Sequence, residues 1–148
     1  MTSLTYQKIL NKLDNFQEYL GYLYQLRQEI EDEEKFLSDF HLFGNTERYL
    51  QLSIQTIIDT SHLIIIDLNL KRPEDNYGAI SILFGKKVIS EDLSQKITRM
   101  IGLRNLLVHE YGEIDRKIIF KVLSENLKDL ELFKKEISSF ISKQEKNK

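Results

Sequence analysis

The feature that most constrains this chain is the spacing of its apolar residues, which recur mostly at three- and four-residue intervals through several long stretches. That spacing lines one face of a helix, whose turn takes about 3.6 residues. One proline and six glycines in 148 residues leave few places for a helix to break. The expected fold is therefore all-α: an antiparallel helical bundle of four main helices and a short one, in a single domain spanning residues 1–148.

Taken in order, a first helix is predicted from Leu4 to about Glu34, with Ile9, Leu13, Phe16, Leu20 and Leu23 on its stripe. Its acidic end, Glu29 to Glu34, has no neighbouring histidine and reads as a solvated terminus rather than a metal site. A short segment, Lys35 to Phe40, leads to a loop at His41–Asn45, marked by Gly44 and Asn45. His41 is read there as a surface residue. A second helix, capped by Asn45 or Thr46, is expected to run to about Asn69 and to be central, because its apolar residues wrap much of its surface. Pro73 places a loop at Lys71–Asp75. A short helix follows from Tyr77 to Phe84, ending at Gly85. The next helix starts after Ser90, a hydroxyl cap followed by Glu91 and Asp92, and stops at Gly112. A last helix, capped by Asp115, extends to about Ser142, and residues 143–148 are expected to fray.

Composition narrows the function classes. Without cysteine the chain has no disulfide, thiolate zinc site or cysteine nucleophile. A formal charge of −2 excludes a globally basic nucleic-acid binder, so contact with RNA must rest on local patches such as Arg99, Arg104, Arg116 and Lys117. The N-terminus shows no apolar signal segment, and no run approaches the roughly 18 apolar residues of a membrane span. A cytoplasmic location is the expectation.

The chemistry is concentrated in the helix after Ser90. Leu93, Ile97, Met100, Ile101, Leu103, Leu107 and Val108 form its core-facing side, and Arg104 projects from the middle of that side. A buried guanidinium requires a partner, since an unpaired buried charge costs several kcal/mol. Asp59, on the second helix, is one candidate; alternatively Asp59 and His62 satisfy each other or a backbone group. His109 points roughly 140° away from Arg104, on a side shared with Gly102, Asn105 and Leu106. Small residues there would let another helix come close. Asn105, one turn before His109, can orient the imidazole.

The spacing Arg104, four residues, His109, one residue, Tyr111 resembles the active motif of the HEPN superfamily, in particular the HepT toxins of the HepT–MntA type. The run from Gly102 to Tyr111, with polar Asn105 after the arginine, is similar to that group, and a helical bundle agrees with its fold over nearly the whole chain. The resemblance implies a toxin of a type VII toxin–antitoxin system: a metal-independent RNA endonuclease, cutting RNA or tRNA, that works as a homodimer. In that case His109 is the general acid or base, Arg104 the phosphate clamp and Asn105 the orienting group, with Asp59 in support. Gly102, Leu106 and His109 are the candidate dimer face. Tyr111 would be the acceptor of AMP from an MntA-like nucleotidyltransferase, the silencing partner. No metal or cofactor is expected. Two other readings stand beside this one. In the first the chain is a non-catalytic HEPN subunit that docks to, or binds substrate for, a separate nucleotidyltransferase. In the second it is a structural dimer with Arg104 in a buried pair.

Overall fold

The computed structural model describes residues 1–109 and 116–147, with Val108 and His109 described by backbone alone. Seven helices follow one another among these residues: α1 (Ser3–Glu29), α2 (Glu33–Ser38), α3 (Phe40–Asp67), α4 (Asn76–Gly85), α5 (Glu91–His109), α6 (Arg116–Glu125) and α7 (Leu127–Lys146). The described residues form no strand. None of the helices is long and apolar enough to cross a membrane.

Four helix boundaries differ from the sequence reading, and three of the differences have a local cause. The first helix ends at Glu29, not Glu34, because Asp32 leaves the helical conformation and its carboxylate accepts from the Lys35 backbone N–H at 2.8 Å, starting α2. Crowded carboxylates also oppose the negative end of the α1 dipole. His41–Asn45 is helical rather than a loop. Asp39 is the cap of α3, accepting from the His41 N–H at 2.9 Å, so neither Asn45 nor Thr46 performs that role. Gly44 inside a helix costs about 1 kcal/mol, which the Asp39 cap and the burial of Thr46 and Leu50 offset. The expected last helix is two. Asn126 breaks it, and its side-chain amide donates to Asp129 at 3.3 Å. α7 then runs on to Lys146, through residues expected to fray. Asp115, the expected cap, lies outside the described residues.

α1 and α3 make the central pair and run antiparallel: Thr2 bonds to Asp67, Lys12 to Asp59, and the Tyr22 ring lies 4.8 Å from that of Tyr49. A line of small hydroxyl residues on α3 satisfies itself by back-bonding one turn, from Thr46 to Leu42, Ser53 to Tyr49, Thr56 to Leu52 and Ser61 to Ile57. Polar side chains can therefore sit in the core of α3 without partners from other helices. α7 closes the other side of α1, with Phe16 and Phe133 meeting edge to face at 5.3 Å.

α5 is fixed against α7 in the opposite direction. The Glu136 carboxylate receives both the backbone N–H and the hydroxyl of Ser90, at 2.6 and 2.7 Å. Ser90 in turn accepts from the Leu93 N–H at 3.1 Å, the cap expected from sequence. Further along, Lys96 lies 3.4 Å from Asp129. Leu93, Ile97, Ile101 and Leu107 are buried, which presents the middle of α5 to α3.

Candidate functional site

The site is built where α5 crosses α3. Arg104 is half-buried there, and its Nη2 donates to the Gln55 side-chain oxygen at 2.6 Å. The amide nitrogen of Gln55 donates to Asp59 at 2.8 Å, and Lys12 of α1 donates to the second Asp59 oxygen at 3.3 Å. Gln55 and Asp59 are one turn apart on α3, so the same helical face presents both.

This arrangement corrects the expected pair. Asp59 does not bond to Arg104 directly; Gln55 stands between them, and the anion is already paired with Lys12. The reason is geometric: Gln55, not Asp59, is the α3 residue opposite Arg104. Partial exposure removes the need for a direct counter-ion, since water still solvates the rest of the guanidinium. No carboxylate among the described residues lies within ion-pair distance of Arg104. Among the described residues its positive charge is positioned but not cancelled.

Nor do Asp59 and His62 satisfy each other. A His62 ring nitrogen lies 3.2 Å from the Asn76 side-chain oxygen at the start of α4. Both residues face an open groove of about 510 Å³ between α1 and α3, lined also by Lys8, Lys12 and Ile66.

On its other side α5 meets α4. The Asn105 amide donates to the Tyr77 hydroxyl at 3.4 Å, a long bond, and that hydroxyl lies 3.8 Å from where a Cβ on Gly102 would stand. Leu106 is 60% exposed and Tyr77 39% exposed, so an apolar strip runs along the surface beside Gly102. His109 is the last residue of α5. Its side chain, and with it the proposed contact from Asn105, lies outside the described residues, as do Tyr111 and the Gly112 stop.

Sequence reasoning missed Gln55, Lys12 and Tyr77. Gln55 carried a signal, being one turn before the singled-out Asp59 on the same face. Lys12 and Tyr77 had none, because each comes from another helix. The structure thus joins Arg104 to Asp59 through one intermediary and leaves Gly102, Asn105 and Leu106 together on a separate side. Among the described residues no three His, Asp or Glu side chains converge as metal ligands.

With this geometry in place, three likenesses are informative. The tRNA nuclease HepT of Aphanizomenon flos-aquae is 32% identical over 141 residues, 95% of each chain. The mRNA nuclease HepT of Shewanella oneidensis is 28% identical over 125 residues, 84% of this chain and 92% of the relative. The tri-AMPylated Shewanella oneidensis HEPN toxin, solved in complex with its MNT antitoxin, superposes with a TM-score of 0.81 at 27% identity, over 94% of this chain and 99% of that one. The pattern of the Ribonuclease HepT-like family runs through residues 9–137, from the first buried turn of α1 to the middle of α7, and the chain belongs to that family.

Proposed function

We propose that this chain is the RNA-cleaving toxin of a type VII toxin–antitoxin pair, acting in the cytoplasm without a metal. The observation that carries the proposal is Arg104, held across the α3–α5 contact by a neutral amide, with its charge left for a phosphate. Support comes from the two relatives named tRNA nuclease and mRNA nuclease and from the toxin–antitoxin complex with the same fold.

Cleavage needs a base for the 2′-hydroxyl, a cation for the phosphate and an acid for the leaving oxygen. Two copies joined along Gly102, Leu106 and His109 would supply two imidazoles and two guanidinium groups to one cleft. One neutral His109 takes the 2′-hydroxyl proton as the 2′-oxygen bonds to phosphorus. The His109 of the second copy, protonated, gives its proton to the 5′-oxygen as that bond breaks. Arg104 stabilises the charge gathering on the phosphate, and Asn105 holds His109 in the useful orientation. Exposed Leu106 on the Gly102 side supports this dimer face.

Tyr111 is the proposed acceptor of AMP groups from an MntA-like nucleotidyltransferase. Phosphates attached there would occupy the anion site beside Arg104 and His109, which gives the silencing a physical cause. Tyr111→Phe is expected to remain toxic in cells that also make the transferase. Mass spectrometry placing AMP on a different residue would contradict this assignment.

The direct test incubates purified chain with total RNA and with tRNA in the presence of a chelator, beside Arg104→Ala and His109→Ala. New ends that depend on both residues are the expected result. Intact RNA from a verified, unmodified dimer would overturn the ribonuclease reading in favour of a docking subunit for a nucleotidyltransferase.

A further inference from the structure

A cleft of about 420 Å³ opens between α3, α5, α6 and α7, on a side of α5 different from the Gly102 and Asn105 side. Its floor is apolar, formed by Ile54, Leu103, Val122 and Leu130, and Ile118, 43% exposed, stands at its wall. Arg99 and Lys121 also line it, and neither has an ion-pair partner among the described residues. Inside lies Asp129, only 6% exposed. One of its oxygens accepts from Asn126, while the other is buried, accepts no hydrogen bond and lies 3.4 Å from Lys96. Lys96 is held cationic: its hydrogen bond to Asp92 and the nearby Asp129 charge raise its pKa above the ordinary lysine value, against the opposing effect of desolvation.

We propose that this cleft binds one nucleobase of the RNA strand by stacking, favouring the larger ring of a purine. The proposal rests on the ribonuclease reading, and it names how the substrate is held. The volume suits a flat aromatic ring, and the apolar floor gives it a face to stack on. Arg99 and Lys121 match the charge of the phosphates on either side of that base. A purine offers the larger ring to that floor, so it gains more from stacking there than a pyrimidine does.

The test measures binding by fluorescence anisotropy, using short 2′-O-methyl oligoadenylate and oligouridylate, which cannot be cut at the 2′-oxygen. The wild-type chain is expected to bind the adenylate about fivefold more tightly than the uridylate, because adenine offers the larger face to the apolar floor. Ile118→Trp, which fills the mouth of the cleft, should remove about tenfold of the adenylate affinity, and Arg99→Ala and Lys121→Ala should each reduce the salt dependence by about one unit of slope. Unchanged adenylate binding by Ile118→Trp, checked by a native melting curve, would overturn the proposal, as would equal binding of the two oligomers by wild type. Cleavage of tRNA by the same preparations reads the ribonuclease activity separately. Cleft-dependent binding without cleavage would sink that activity while retaining the pocket.

Discussion

The two sides of α5 are finished to different degrees. Toward α3, Arg104 ends in a chain of hydrogen bonds from Gln55 to Asp59 to Lys12, so three helices of the same molecule specify where the guanidinium lies. Toward α4, the bond that Asn105 makes among the described residues is a long one to Tyr77, and Leu106 stands 60% exposed beside Gly102. One side is closed within the chain, and the other is left open to a second molecule. A dimeric nuclease needs both: a fixed charge, and a surface whose completion brings a second motif.

The strongest way to break this contrast is to empty the closed side. Arg104→Ala should lower single-turnover cleavage by about 10²–10³-fold, while a melting curve changes little, because among the described residues the guanidinium makes one side-chain hydrogen bond, in a half-buried place. A rate within a few-fold of wild type would show that the held charge is not used. On the open side, Leu106→Glu should convert the proposed dimer to monomer at micromolar concentration, read by analytical ultracentrifugation. A dimer of unchanged mass would move the interface elsewhere. A subtler change replaces the neutral intermediary by a charged one. Gln55→Glu would form a direct ion pair with Arg104 and set two carboxylates against each other, and we expect about a tenfold loss in kcat/KM. Unchanged cleavage would mean that the neutrality of the amide is incidental. The smallest effect is expected of Tyr77→Phe. Losing a hydrogen bond as long as that to Asn105 should alter stability by no more than about 0.5 kcal/mol by denaturant titration, and a larger loss would show the open side to be better fixed than its geometry implies.

Much of the bundle was legible because burial alone sets the spacing of apolar residues. The core faces of α1, α3 and α5 carry the predicted residues, among them Phe16, Ile57 and Ile101, and Ser90 caps where expected. The misplaced boundaries share one cause, that a cap is chosen by local competition. Asp39 and Asp32 displaced the boundaries suggested by Gly44 and the acidic run. The break at Asn126 was invisible to periodicity, since Ile119, Leu123, Leu127, Leu130 and Phe133 keep their three- and four-residue spacing and their burial across it. Arg104 was legible as a cation in need of a partner. Which partner it takes depends on how α3 and α5 cross, and a one-turn difference on α3 decides between Asp59 and Gln55.

The clamp on Ser90 has a consequence for the order in which the site can be assembled. Arg104 and His109 are synthesised before Asp129 and Glu136, yet those two residues secure the first turns of the helix that carries the pair. Until α7 follows, the motif helix can form only without its bracing, and the docking of α7 locks it. For a protein proposed to attack RNA, this ties full competence to a helix made after the motif itself.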